Sequence, residues 1–175
     1  MAVKQKIKIK SDEDDVVLRT IEKKDIELLR KWKNDNREFF FHKKIINAEQ
    51  QVKWYHFYLN NTDDYIFLVE YADSKIGCIG FRLIDNVIDI YNVILGNKEF
   101  GGRGIMCRVL RLLCSYIMDI YNKEITLKVL SENKARLWYI QNGFIETGKG
   151  DDHIFMKLDI NKFEYLKYNL EVNKH

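Results

Sequence analysis

Apolar residues recur along this chain with two periods, one typical of helices and one typical of strands. A spacing of three and four residues predicts helices over four ranges: 26–32, 52–59, 105–121 and 132–142. Alternating or short continuous apolar stretches predict seven strands, at 16–19, 65–71, 75–84, 87–95, 125–130, 144–147 and 153–158. Short polar turns join the second, third and fourth of these strands, which predicts an antiparallel meander.

Polar residues at the helix ends support these boundaries. Asp25 is placed to cap the first helix, and Asn47 with Gln50 has the spacing of a capping box before the second. The fourth helix is expected to stop at Gly143. The first helix is predicted to bury Ile26, Leu29 and Trp32. The second is predicted to bury Val52, Tyr55 and Leu59.

The order of elements changes halfway along the chain, and this sets the fold class. The fifth strand, 125–130, should lie beside the fourth, 87–95, after a right-handed crossover through a helix. We therefore predict a single α/β (α+β) domain with a mixed central sheet of about seven strands, an antiparallel N-terminal meander and a βαβ-like C-terminal half. This domain spans residues 16–158, after an N-terminal arm or edge strand at 1–15. Apolar residues in the C-terminal segment, 159–175, suggest a short helix: Phe163, Leu166 and Leu170.

Composition narrows the classes of function. The 175 residues, 46% of them apolar, suffice for one domain with a substantial core, and 29 basic residues nearly balance 26 acidic ones, which argues against a nucleic-acid partner. Three cysteines (Cys78, Cys107 and Cys114) lie in apolar stretches without a CxxC pair, as expected of reduced thiols in a cytoplasmic protein. The histidines lack ligand spacing, so no metal is expected. Neither a membrane span nor a signal peptide is expected.

A glycine-rich segment follows the fourth strand and precedes the helix 105–121. Gly101, Gly102 and Gly104 remove side chains from this turn, where free amides and the positive end of the helix dipole attract an anion. The segment is not a Walker loop, because Gly104 is followed by isoleucine and methionine. It also lacks the third glycine of a dinucleotide fingerprint, since residue 107 is cysteine. A metal-free pyrophosphate site and a simple strand-to-helix corner both remain open.

A second motif lies around the fourth helix and consists of Asn133, Ala135, Tyr139, Gly143 and Phe144. With the glycine segment, this pattern resembles the GCN5-related N-acetyltransferase (GNAT) superfamily, in particular the branch of ribosomal-protein alanine and nucleotide-amino-sugar N-acetyltransferases. The resemblance covers about residues 16–158. Gly101 stands where the family has Gln or Arg, and Met106 where it has Gly or Ala. The step from Asn133 to Ala135 is one residue shorter than usual.

The resemblance implies binding of acetyl-CoA without a metal. Backbone amides of the glycine segment would hold the pyrophosphate, at Gly101, Gly102, Arg103, Gly104, Ile105 and Met106. The main chain of the fourth strand would align the pantetheine arm, through Val93, Ile94 and Leu95. Asn133 belongs to the same cofactor site.

The resemblance also implies direct attack of a primary amine on the thioester in a ternary complex. Tyr139 stands where the family places the acid that protonates the leaving thiolate, although a core tyrosine would fit the same pattern. Asp89 is the only acid within 87–95 and is the candidate general base, with Tyr91 on the same face. An ordinary polar position on the solvent side is the alternative for Asp89.

The resemblance implies an acceptor amine near the two helices that follow the first strand. Candidate acceptor residues are Trp32, Asn34, Arg37, Trp54 and Tyr91, where the tryptophans also suit a plain core role. A nucleotide-linked amino sugar is the first expectation, because the aromatic stretches can stack on a base or sugar. A protein N-terminus is second, a polyamine third, and a CoA-binding sensor without activity is the alternative of another class. The resemblance also allows a homodimer.

Overall fold

One nine-stranded sheet organises the protein in the computed structural model, which describes residues 4–174. Its strands are β1 (Gln5–Ser11), β2 (Val16–Thr20), β3 (Asp64–Tyr71), β4 (Ser74–Ile84), β5 (Val87–Leu95), β6 (Ile125–Leu130), β7 (Phe144–Lys149), β8 (His153–Leu158) and β9 (Tyr168–Lys174). Their order across the sheet is β7-β8-β6-β5-β4-β3-β2-β1-β9. Only the pair β5–β6 is parallel among these strands.

Four helices cover the two faces of this sheet: α1 (Ile26–Asp35), α2 (Ala48–Asn60), α3 (Ile105–Tyr121) and α4 (Ala135–Gln141). Helix α3 is amphipathic and packs its apolar side on the larger core cluster, which includes residues of β1, β2 and β4 to β6. Helices α1 and α2 pack on the opposite face, against Ile66, Cys78 and Ile94 of β3, β4 and β5. No helix within residues 4–174 is long and apolar enough to cross a membrane.

The predicted fold class is confirmed, including the parallel neighbour relation of β5 and β6 after a crossover through α3. The sheet has nine strands instead of about seven, because β9 was not predicted and β1 forms in the segment expected as an arm or edge strand. The N-terminal segment contains β1, which is an interior strand because β9 pairs along its other side. In β1, Ile7 and Ile9 are buried and alternate with lysines. This is the period of two expected of a strand, but the surrounding charged residues made it hard to recognise in the sequence. The first three residues of the predicted arm lie outside the described range.

The C-terminal helix prediction is wrong. Residues Tyr168–Lys174 form β9, antiparallel to β1, and the alternation of Leu170 and Val172 with polar residues fits a strand better than a helix. Leu166, just before β9, is buried in the main core, while Leu170 is partly exposed. Pairing with β1 satisfies backbone groups that a seven-residue isolated strand would leave to water.

The helices agree with the sequence expectation in one detail and differ in two. The predicted capping box of α2 is present, since Asn47 and Gln50 exchange hydrogen bonds of 2.9 Å between side chain and backbone. The buried face of α2, however, carries Gln51, Tyr55 and Tyr58, and Val52 is exposed. Helix α4 starts later than predicted, at Ala135, because the preceding residues form a turn.

A buried ion cluster fixes the start of α1 on the sheet. Asp25 is fully buried, and its carboxylate accepts from Arg19 at 2.7 Å and from Lys75 at 3.0 Å. The carboxylate also accepts a hydrogen bond from the backbone amide of Glu22, which closes the turn before α1. It makes no hydrogen bond to the first amides of α1, so Asp25 does not act as the side-chain cap that the sequence predicted. Burial raises the pKa of Asp25, but hydrogen bonds led by Arg19 outweigh this and leave its pKa at about 2.

Candidate functional site

Strands β5 and β6 pair over only three residues and then separate. The ladder joins 88–90 to 125–127, although β5 continues to Leu95 and β6 to Leu130. Asn92 adopts a left-handed conformation (φ 51°), and the register between β4 and β5 shifts at the same place, which marks a bulge in β5. The gap between the diverging strands is a cleft of about 590 Å³, lined by 89–93 on one side and 128–130 on the other.

The glycine segment lies between the carboxyl end of β5 and the start of α3. Gly102 and Gly104 have φ values of 71° and 68°, conformations that other residues adopt only with strain. A Cβ atom at either position would meet no protein atom within 4 Å, so the space beside both glycines is open. Among the described residues, the backbone amides of 102–107 donate to no acceptor. The helix N-terminus thus presents free donors to an open space.

The other predicted members of this segment have different roles. Gly101 has an ordinary φ of −67° and closes a short turn, donating its amide to the Lys98 carbonyl at 3.0 Å. Ile105 is buried and Met106 packs partly against the core, so both contribute backbone amides while their side chains hold α3 in place. The Arg103 guanidinium is exposed, 5.2 Å from the ring of Phe100.

Tyr139 lines the cleft from the face of the sheet that α3 covers. It is 8% exposed, packs edge-on against Phe144, and makes no hydroxyl hydrogen bond to any described residue. Burial raises the pKa of Tyr139 strongly, so the hydroxyl keeps its proton at neutral pH. Asn133 also lines the cleft, and its side-chain oxygen accepts the amide of Ala135 at 2.9 Å, which fixes the first turn of α4.

Asp89 and Tyr91 line the cleft together, as the strand period predicted. The Asp89 carboxylate accepts from Arg82 at 2.9 Å through one oxygen. The Arg82 guanidinium lies over the ring of Tyr91, with 4.5 Å between its Cζ atom and the ring centre. The Tyr91 hydroxyl donates a hydrogen bond to Asp64. Its ring also crosses β4 at Gly80, where a Cβ atom would come within 3.0 Å of it.

The structure separates the predicted acceptor residues. Trp32 is buried against Gly96, where a Cβ atom would lie 2.1 Å from the indole. Asn34 binds both backbone groups of Ile46 at 2.9 Å, and Arg37 donates to the Asn34 carbonyl at 3.1 Å. None of these three side chains lines the cleft.

A second chamber, of about 390 Å³, extends from the cleft beneath α1 and α2. Trp54 lines this chamber, and Tyr91 lines both spaces. Lys33 and Asn92 also line both, joined by a hydrogen bond of 2.7 Å from the ammonium to the amide oxygen. Sequence reasoning did not bring Lys33 and Asn92 together, because they are 59 positions apart and a regular strand would turn Asn92 to the other face.

Other residues of the cleft wall were also not singled out as a group. The segment 39–42 supplies three phenylalanines and His42, and β6 supplies Lys128. Asp152 and His153 close the far side, with 2.7 Å between the carboxylate and Nδ1. The run of three phenylalanines is one of the aromatic stretches expected from the sequence to stack on a base or sugar.

Comparison with known proteins gives one family. The sequence model described as an acetyltransferase (GNAT) domain matches residues 15–138. No curated protein matches the chain at a significant level.

Solved structures share the fold at low identity. The spermidine N-acetyltransferase from Vibrio cholerae in complex with CoA and spermine has a TM-score of 0.71 and 23% identity, over 82% of this chain and 95% of that chain. FdhC without ligand, described as a nucleotide-linked sugar GNAT, has a TM-score of 0.72 and 17% identity, over 89% and 91% of the two chains. A domain from Methanocaldococcus jannaschii DSM 2661 has a TM-score of 0.73 and 18% identity, over 83% and 99%.

Proposed function

We propose a donor site and an acceptor class for this chain on one premise: it belongs to the GNAT family of acetyltransferases, as the match over residues 15–138 shows. It is therefore an N-acetyltransferase, and enzymes of this family use acetyl-CoA. The acceptor that we propose is an amine that carries negative charge, most simply a nucleotide-linked amino sugar. The observation that carries this choice is the charge of the cleft wall.

The glycine segment fits the diphosphate of coenzyme A. Six consecutive free amides, at 102–107, lie just before and at the N-terminus of a 17-residue helix, whose dipole favours an anion there. The empty positions beside Gly102 and Gly104 leave room for phosphate oxygens to approach the backbone. These are the features that a metal-free pyrophosphate site needs, and they favour this interpretation over a simple corner.

The unpaired edge of β5 fits the pantetheine arm. Beyond residue 90 this edge pairs with no strand, while the other edge of β5 stays paired with β4. Main-chain groups point alternately to the two edges, so within Val93, Ile94 and Leu95 those directed away from β4 face the cleft and can meet an amide-bearing chain. The bound donor would supply an activated thioester at this place. Asn133, at the start of α4, closes the same side of the cleft.

Two side chains in the cleft suit the proton transfers. Tyr139 holds a proton on a hydroxyl without a protein partner, and we assign it to protonate the departing thiolate. Asp89 uses one oxygen for Arg82 and has its second oxygen without a partner among the described residues. We assign that oxygen to accept the proton of the acceptor ammonium, directly or through water.

The charges around the cleft argue against a polycationic acceptor. Of the two carboxylates that line it, Asp89 is ion-paired with Arg82, and Asp152 shares a hydrogen bond with His153. The cleft wall also carries two lysines, at positions 33 and 128. A polyamine would need free carboxylates here, whereas an anionic acceptor gains from the lysines. The fold itself does not separate these classes, since the spermidine enzyme and FdhC resemble this chain about equally.

A panel of acceptors with acetyl-CoA, followed by release of free thiol, tests this proposal. The panel contains a nucleotide-linked 4-amino sugar, peptides with a free N-terminus, and spermidine. We expect turnover with the amino-sugar nucleotide and little with spermidine. A preference for spermidine would refute the acceptor class. Silence across the panel, with tight CoA binding, would favour a sensor over an enzyme.

A further inference from the structure

Lys33 is a partly buried cation without a carboxylate partner among the described residues. It extends from α1 to the junction of the cleft and the chamber beneath α1 and α2, and it lines both. Its ammonium donates to Asn92 Oδ1 at 2.7 Å and lies 3.4 Å from the centre of the Phe40 ring. Among residues 4–174, no aspartate or glutamate comes within ion-pair distance of it.

The groups around Lys33 supply no negative charge at neutral pH. Cys78 and Arg82 of β4 act on it electrostatically, Tyr91 and Asn92 face it from β5, and His42 follows the aromatic wall. Burial raises the pKa of the Cys78 thiol to about 12 and raises the pKa of Tyr91 further, so both stay neutral. Burial lowers the pKa of Lys33 to about 8. A charge in such a place is costly unless an anion joins it.

We propose that Lys33 binds an anionic group of the acceptor, a phosphate or a carboxylate, where the cleft meets the chamber. This inference rests on the proposed function and makes it more specific, because it names the residue that binds the acceptor's negative charge. The bulge in β5 contributes to this site. Asn92, in its left-handed conformation, accepts a hydrogen bond from the Lys33 ammonium through its amide oxygen and so holds the ammonium between the cleft and the chamber.

Binding of simple anions to the CoA-loaded protein tests the proposal. Saturation with CoA keeps the probe out of the helix N-terminus, and calorimetry then measures inorganic pyrophosphate and succinate in turn. We expect Lys33→Gln to weaken the preferred anion about 10- to 100-fold, as loss of a charged hydrogen bond does. Lys33→Arg should restore most of the affinity. Lys31→Gln, an exposed lysine on the same helix, is the matched control and should leave it unchanged.

A second variant keeps the lysine and removes its free charge. Asn92→Asp would place a carboxylate against the ammonium, so anion binding should fall as in Lys33→Gln while the lysine packing is retained. Preference for pyrophosphate would indicate a nucleotide-linked acceptor, and preference for succinate an acceptor with a carboxylate. Equal anion affinity in wild type, Lys33→Gln and Asn92→Asp would overturn the proposal.

Titration of the Lys33 ammonium gives an independent readout by nitrogen-detected NMR. The bound anion should raise the pKa of Lys33 above its value of about 8, and anion affinity should decline as pH rises through that value. A pKa unchanged by saturating anion would contradict the inference. Loss of CoA binding would refute the proposed function instead, so the two failures are distinguishable.

Discussion

Gly104→Ala separates the cost of folding the glycine segment from its role in binding. The φ of 68° strains an alanine by about 1–2 kcal/mol, since its Cβ approaches its own carbonyl. No neighbouring atom adds to this cost, because the new methyl group meets nothing within 4 Å. For a domain of this size the melting temperature should fall by about 2–8 °C. The methyl group nevertheless occupies the space beside the free amides.

Coenzyme A affinity should suffer more than stability. Displacement of a phosphate from one charge-assisted amide contact costs about 1.5–3 kcal/mol, which corresponds to a rise in Kd of about 10- to 100-fold. Calorimetric titration with coenzyme A, in the absence of magnesium, measures this rise. Thermal unfolding of the same samples measures the strain separately.

The matched control is at the other end of the same helix. Asn122 closes α3 in a left-handed conformation (φ 47°), so Asn122→Ala introduces similar strain far from the open amides. It should lower the melting temperature and leave coenzyme A affinity intact. If Gly104→Ala binds coenzyme A as tightly as wild type, the segment is a corner of the fold and not an anion site.

Two further predictions concern single side chains. Tyr139→Phe should reduce turnover about 100-fold with little change in coenzyme A affinity, because the hydroxyl bonds no described residue. Steady-state kinetics measures the turnover and calorimetry the affinity, and unchanged turnover would exclude Tyr139 as the acid. Asp25 has a pKa of about 2 in the folded protein, below that of an aspartate in the unfolded chain. Its ionised form therefore stabilises the fold by about 2 kcal/mol above about pH 4, and this stabilisation is lost as pH falls toward 2. Urea unfolding of wild type and Asp25→Asn should therefore differ at pH 7 and converge at low pH, and a constant difference would contradict the role of the pair with Arg19.

Local sequence determined most of the elements and the residues of the proposed donor site. Apolar periodicity placed the seven predicted strands, and the glycines fixed the turn before α3, because both depend on residues close together in the chain. β9 was not predicted, and β1 was expected only as an arm or edge strand, because alternation within charged segments becomes part of a sheet only when the two chain ends meet. The alternation is present in each segment, but neither segment alone indicates its partner.

Tertiary packing decided the proposed acceptor side of the cleft. Trp32 and Lys33 are neighbours in sequence, yet one fills the core against Gly96 and the other reaches the cleft to meet Asn92. Periodicity indicates that a helix has a buried face, but it does not indicate which side chains at the margin of that face meet an opening. The opening itself arises because β5 bulges and leaves β6 after three paired residues, and that divergence depends on contacts from strands and helices distant in the chain.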